Sequence, residues 1–130
     1  LSGGRVLGVI PKKIMLVEGI NKNFGEIIIT DDMHSRKITM YKNSNAFICL
    51  PGGVGTLDEL LEIITWSQLD INRKPIFILN SCGYWDKLAD LINHLISENF
   101  AKPDLLKKFS IHSHVHSLVS TLLSSFRIDS

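Results

Sequence analysis

The sequence has no long hydrophobic run, few cysteines and no excess of charge of one sign. Its longest apolar runs, residues 46–51 and 76–79, are far shorter than the roughly 18–20 residues that cross a bilayer. The two cysteines, Cys49 and Cys82, lack the spacing of a metal site or of a disulfide framework. We therefore expect a soluble protein of a reducing, cytoplasmic compartment.

The charges are balanced, which excludes partners that need a strongly charged surface. Fourteen Lys and Arg residues stand against 13 Asp and Glu residues, a net charge of +1. Neither a nucleic acid nor an anionic membrane is therefore expected as a partner. Hydrophobic residues make up 45% of the 130-residue chain and charged residues 21%, which excludes a disordered or low-complexity chain. We predict a single domain over residues 1–130.

Short β-branched runs, each ended by a breaker residue, recur along the chain. They are continuous apolar runs rather than alternating ones, which is typical of parallel strands that are buried on both faces. Helical patterns lie between and after them. This alternation predicts an α/β fold with a doubly wound parallel sheet. The predicted strands cover residues 6–10, 27–30, 46–50 and 75–79, and the predicted helices cover residues 12–23, 33–43, 57–69, 85–98 and 114–126.

A glycine-rich segment, Pro51-Gly52-Gly53-Val54-Gly55-Thr56, links the third predicted strand to the strongest predicted helix. Glycines allow positive φ angles and close approach to the backbone, and the N–H groups at a helix start attract anions. The segment matches neither a Walker A loop nor a dinucleotide fingerprint. We therefore predict a site for an adenylate or a ribose phosphate. The alternative is a strand-to-helix turn without a ligand.

The residues that follow this segment allow two interpretations. Thr56 and Glu59 have the spacing of a capping box, in which Glu59 would reach back to the N–H of Thr56. Alternatively, Glu59 is a carboxylate that the helix dipole keeps ionised, suited to stabilise a nearby cation or to orient water. The local sequence by itself favours the cap.

A basic pair, Arg36 and Lys37, follows the second predicted strand. Arg36 can present a planar fork to a phosphate or a sugar hydroxyl, and Lys37 adds a point charge. In a parallel sheet this pair and the glycine-rich segment are expected on the same edge. The alternative is that both are solvated charges on an exposed helix face.

Three segments together resemble a known family. They read DMHSRK at residues 32–37, PGGVGTLDE at residues 51–59 and TWSQL at residues 65–69. This pattern is similar to the Lonely Guy family, the cytokinin riboside 5′-monophosphate phosphoribohydrolases, whose paired signature is M-H-x-R-K and P-G-G-x-G-T-x-x-E. The likeness extends through most of residues 3–100.

The resemblance implies a Rossmann-like fold, a homodimer and hydrolysis of the N-glycosidic bond of AMP or N6-substituted AMP without cofactor or metal. It assigns catalytic roles to Arg36 and Glu59, against the local preference for a cap. Apolar helical surface around Ile63, Ile64 and Trp66 adds support for a dimer. Family members carry an earlier strand, glycine-rich loop and helix, so we expect that segment to be missing here. The substrate-binding residues implied are Met33, Lys37, Gly52, Gly53, Gly55 and Thr56.

Other functions fit the sequence less well. A non-catalytic nucleotide or molybdenum-cofactor carrier of the same fold would keep the glycine-rich segment without needing Glu59. The lysine decarboxylase label sometimes given to the family requires an electron sink such as pyridoxal phosphate on a lysine, and no lysine has that context. His112 and His116 would be one turn apart on a helix, but no carboxylate or cysteine lies nearby to complete a metal site.

Overall fold

The structure, a computed structural model, describes residues 7–11, 26–30 and 32–127. The chain divides into two compact units, Leu1–Ser44 and Asn45–Ser130, and each is described by itself. The helix predicted over residues 12–23 lies outside the described residues. The single-domain expectation stays a prediction.

The first unit contains a pair of parallel strands and a helix. Strand β1 (Leu7–Pro11) pairs with β2 (Glu26–Thr30), and Leu7 lies opposite Glu26. Helix α1 (Met33–Lys42) follows β2. It begins there because the Asp32 side chain accepts the Ser35 N–H at 2.7 Å, which satisfies a donor that the helix leaves unpaired.

The second unit is a three-stranded parallel sheet with helices between the strands. The strands are β3 (Phe47–Cys49), β4 (Ile76–Leu79) and β5 (Ser110–His112), and they lie in that order in the sheet. The α/β class with parallel strands is confirmed. Strand β5 was not predicted, because it is only three residues long and two of them are polar. None of the described helices is long and apolar enough to cross a membrane. The helices of this unit are α2 (Val54–Gln68), α3 (Asp86–Ser97) and α4 (Val115–Arg127).

The main core of the second unit lies on one face of β4, its central strand. All four residues of β4 are buried, as expected for a parallel strand that is covered on both faces. Ile78, which is 1% exposed, belongs to a cluster with Leu60 and Ile64 of α2 and Ile92 of α3. This burial fixes the positions of α2 and α3 against the sheet.

A smaller cluster covers the opposite face of β4. Phe77 and Leu79 point to this face because side chains alternate along a strand, and they pack with Leu118 of α4. The sheet is therefore enclosed by α2 and α3 on one side and by α4 on the other.

The apolar surface expected on α2 is largely covered. Ile64 is 5% exposed, Ile63 packs against the same core cluster, and Trp66 is partly buried. The expectation of uncovered apolar surface at these residues was wrong, since this side of α2 is the one that faces the core.

Truncation of a side chain on the central strand β4 should destabilise the protein far more than truncation of a side chain on its neighbour β5. Ile78→Ala removes a buried side chain, so we expect the free energy of unfolding to fall by about 2–5 kcal/mol. Ile111→Ala is the matched control, because Ile111 pairs with Ile78 across the sheet but is 41% exposed. Chemical denaturation measures both values. Equal losses would contradict the described core.

Candidate functional site

The glycine-rich segment lies between the carboxyl end of β3 and the start of α2. Helix α2 begins at Val54, with Gly53 in the N-cap position. The Leu57 N–H donates to the Gly53 carbonyl at 3.1 Å and forms the first hydrogen bond of the helix. The N–H groups of Val54, Gly55 and Thr56 precede that bond and have no acceptor within the helix. Such donors suit an anion.

The glycines of this segment provide space, for the Thr56 side chain at Gly52 and for a ligand at Gly53 and Gly55, and not unusual backbone angles. Among the described glycines only Gly83 has a positive φ, so the glycine-rich segment does not use the positive φ angles that glycine allows. A Cβ added at Gly52 would lie 2.9 Å from the Cβ of Thr56, which is too close. A Cβ added at Gly53 or Gly55 would meet nothing within 4 Å. The space beside these two residues is therefore open to a ligand.

The capping box predicted from Thr56 and Glu59 is not formed. Gly53 is the N-cap residue and no side chain caps the helix, so Thr56 is the third residue of α2 and Glu59 the sixth. Glu59 therefore lies in the second turn, whereas the helix dipole acts mainly on the first. The interpretation of Glu59 as a cap was wrong, and so was its placement at the helix start.

The carboxylate of Glu59 acts electrostatically on the end of β3. Burial, and then the negative charge of Glu59, raises the pKa of the Cys49 thiol to about 11. Cys49 belongs to the core cluster and its thiol faces the Leu50 carbonyl, with Sγ and O 3.6 Å apart. Cys49 therefore fills the end of a buried strand, and its thiol is not activated. Glu59 itself is only partly buried.

A second loop follows β4 and is held by a single asparagine. The Asn80 side chain accepts the Trp85 N–H at 2.5 Å and donates to Asp86 Oδ1 at 2.8 Å. Gly83, with a φ of 70°, turns the chain between them. This arrangement fixes the start of α3 and the residues just before it.

Tyr84 connects this second loop to the glycine-rich segment. Its hydroxyl donates to the Gly52 carbonyl oxygen. The ring is 53% exposed and meets Trp85 edge-on, with ring centroids 4.9 Å apart. Trp85 is in the core cluster, whereas Tyr84 is not. Sequence reasoning missed this contact because nothing in the local pattern distinguishes the two aromatic residues.

The remaining predicted site residues lie together on α1 in the first unit. Met33 is the first residue of the helix, and Arg36 and Lys37 belong to its first turns. The side chains of Arg36 and Lys37 are partly buried and engaged in interactions. This disfavours the alternative that both are solvated surface charges.

His112 and His116 do not form a helical pair. His112 is the last residue of β5, so it does not share a helix with His116. Its Nε2 lies 2.9 Å from the Ser110 hydroxyl and its Nδ1 lies 3.2 Å from the Ser117 hydroxyl. Across the described ranges no group of three His, Cys, Asp or Glu side chains could hold a metal ion.

Comparison with known proteins identifies related chains. The model of a family described as "Possible lysine decarboxylase" matches residues 1–122. Three Arabidopsis thaliana proteins named cytokinin riboside 5′-monophosphate phosphoribohydrolase are 43%, 43% and 51% identical to the chain. The matches cover 94%, 93% and 78% of this chain but 63%, 53% and 47% of those proteins. The chain thus spans about half the length of the curated relatives it matches.

Alanine substitution at two adjacent glycines should affect two different properties, the stability of the protein at Gly52 and its ligand binding at Gly53. Gly52→Ala forces the new methyl group against Thr56, so we expect the free energy of unfolding to fall by about 1–3 kcal/mol. Gly53→Ala places the methyl group in open space, so we expect little loss of stability but weaker binding of ribose 5-phosphate. Thermal unfolding and calorimetric titration measure the two effects. Unchanged phosphate binding by Gly53→Ala would argue against a ligand at this position.

Proposed function

Because the chain belongs to the Lonely Guy family, the one whose model is described as possible lysine decarboxylase, we propose that it hydrolyses the N-glycosidic bond of a nucleoside 5′-monophosphate. The substrate is AMP or an N6-substituted AMP, and the products are the free base and ribose 5-phosphate. The open space beside Gly53 and Gly55, next to the unpaired N–H groups of α2, carries this proposal. The names of the curated relatives agree with it.

The phosphate is the anchor of the substrate in this proposal. The N–H groups at the start of α2 donate to the phosphate oxygens, and the positive end of the helix dipole stabilises their charge. The side chain of Thr56 lies against Gly52 and adds a hydroxyl to the same region. The resemblance also assigns substrate binding to Met33 and Lys37. An uncharged nucleoside lacks this anchor and binds much more weakly.

Cleavage of the C–N bond creates positive charge on the ribose. Water attacks the anomeric carbon, the bonding electrons leave with the base nitrogen, and a proton released by the water ends on the base. A fixed anion near the anomeric carbon stabilises the oxocarbenium-like transition state and aligns the water. We assign this role to Glu59, as the resemblance implies, and the residue is partly buried in the second turn of α2. Arg36 holds the ribose phosphate or the ribose hydroxyls.

The proposed mechanism uses neither a cofactor nor a metal ion. Hydrolysis is not a redox reaction and needs no electron carrier, and the protein groups named above stabilise the transition state electrostatically and orient the water. Decarboxylation of lysine would instead need a carbanion-stabilising cofactor such as pyridoxal phosphate. The curated relatives are named as phosphoribohydrolases, not as decarboxylases.

Removal of the Glu59 charge should abolish most of the activity. Glu59→Gln keeps the size of the side chain but removes the anion, so we expect kcat to fall about a hundred- to thousandfold, by analogy with the loss of one electrostatic stabiliser. Release of free adenine from AMP, or of the base from an N6-substituted AMP, measures the rate. Arg36→Ala should weaken both binding and turnover.

The matched control for this test is Asp58→Asn. Asp58 precedes Glu59 on the same helix but its side chain is exposed, so its charge should matter little for catalysis. A catalytic role predicts that the melting temperature of Glu59→Gln stays close to that of the unmodified protein. Full activity together with a lower melting temperature would show a structural role and refute the catalytic one.

A cytoplasmic homodimer is part of the same proposal. Helix α4 carries Val115, Val119 and Leu123, four residues apart on one stripe and 60%, 40% and 50% exposed. An exposed apolar stripe of this kind favours association. We expect Val119→Glu to weaken a dimer that light scattering detects, and Ser120→Glu, on an adjacent exposed position, to leave it intact. A monomer at micromolar concentration would contradict the proposal.

A further inference from the structure

The contact between Tyr84 and Gly52 joins the two loops that follow β3 and β4. We propose that Tyr84 is a positioning residue for the substrate phosphate and acts through the peptide group between Gly52 and Gly53. This inference rests on the function proposed above, because it assumes that a phosphate binds beside Gly53.

The geometry of the peptide group carries the effect from Tyr84 to the ligand. The Tyr84 hydroxyl donates to the Gly52 carbonyl oxygen. A peptide group is planar and trans, so its C=O and its N–H point in opposite directions. The hydroxyl that holds the Gly52 carbonyl therefore also fixes the direction of the Gly53 N–H, which points away from Tyr84.

The Gly53 N–H is placed to meet a ligand. Gly53 is the N-cap residue of α2 and is exposed, and a Cβ added there would meet nothing within 4 Å. Its N–H precedes the first hydrogen bond of the helix, which the Leu57 N–H makes to the Gly53 carbonyl. A hydrogen bond to the carbonyl also polarises the peptide group and makes its N–H a stronger donor.

The position of Tyr84 is itself fixed by neighbouring residues of its loop. The backbone around it is fixed by the Asn80 side chain, which accepts the Trp85 N–H, and by the turn at Gly83. Its ring stands edge-on against Trp85, which is 6% exposed. Because the Tyr84 side chain is fixed in this way, its hydroxyl can hold the Gly52 carbonyl in one orientation. A side chain that changes rotamer freely could not do so.

Two other roles are open to an exposed tyrosine, and the test must separate them. The half-exposed ring could stack on the base of the substrate, or the hydrogen bond could merely stabilise the loop. A stacking role affects ligands that carry a base. A positioning role affects ligands that carry a phosphate. Ribose 5-phosphate, AMP and adenosine together distinguish these cases.

The test compares Tyr84→Phe with the unmodified protein by calorimetric titration of the three ligands. The variant keeps the ring and loses only the hydroxyl. We expect its Kd for ribose 5-phosphate and for AMP to rise by the same factor, about fivefold, the equivalent of one net hydrogen bond. Its Kd for adenosine should not change. In turnover, KM for AMP should rise while kcat changes little.

Ser97→Ala is the matched control. It removes another exposed hydroxyl that donates to a backbone carbonyl, that of His94, at the opposite end of α3. We expect it to leave all three dissociation constants unchanged. A general loss of stability would affect both variants, whereas the proposed role affects only Tyr84→Phe.

The outcomes separate this inference from the proposed function. If Tyr84→Phe binds ribose 5-phosphate and AMP as tightly as the unmodified protein does, the inference is wrong and the proposed function stands. If its adenosine affinity falls equally, the ring or the loop is responsible and the inference is wrong. If the unmodified protein binds no ribose 5-phosphate, the phosphate anchor fails and the inference fails with it.

A measurement on the unmodified protein covers the case in which the variant does not fold. The Gly53 amide proton should move downfield in the NMR spectrum when ribose 5-phosphate is added, because a charge-assisted hydrogen bond forms there. The amide of Gly83, which belongs to the other loop, serves as the reference. A Gly53 signal that stays in place at saturating phosphate would overturn the inference.

Discussion

The burial of β4 on both faces is the constraint on which the second unit depends. A strand that is apolar on both sides needs helices above and below it, and right-handed crossover connections supply them only when the neighbouring strands run parallel. Parallel strands bring their carboxyl ends to one edge of the sheet. The glycine-rich segment after β3 and the Tyr84 loop after β4 therefore lie side by side, although the sequence between them includes all of α2.

The part of the site formed by the glycine-rich segment is built mainly from the backbone. Gly52 leaves room for Thr56, and Gly53 and Gly55 leave room for a ligand. Donors at a helix start need no side chains, and they lose no side-chain entropy when a ligand binds. A backbone site of this kind depends on how firmly its peptide groups are held, which gives the contact from Tyr84 its importance.

The position of Glu59 changes the physical argument for its chemistry. A carboxylate in a capping box accepts the backbone N–H of the N-cap residue, and a carboxylate in the first turn is stabilised by the helix dipole. Glu59 lies in the second turn, so it neither belongs to a capping box nor lies in the first turn, where the dipole acts most strongly. It is instead partly buried, and its negative charge, together with burial, raises the pKa of the Cys49 thiol. The carboxylate thus lies near the point where β3 ends and the glycine-rich segment begins.

The sequence by itself determined four of the five described strands, the α/β class, the glycine-rich segment and the family, because continuous apolar runs, helical periodicity and short motifs are properties of neighbouring residues. It placed the start of α2 three residues too late, since glycine and threonine are weak helix formers and hide the first turn. It also missed β5 and Tyr84. Only the tertiary structure decided these points: β5 exists because it pairs with β4, and the Tyr84 hydroxyl meets a carbonyl 32 residues away in sequence. Contacts between distant residues leave no periodic pattern, so they become visible only when the sheet brings the two loops to the same edge.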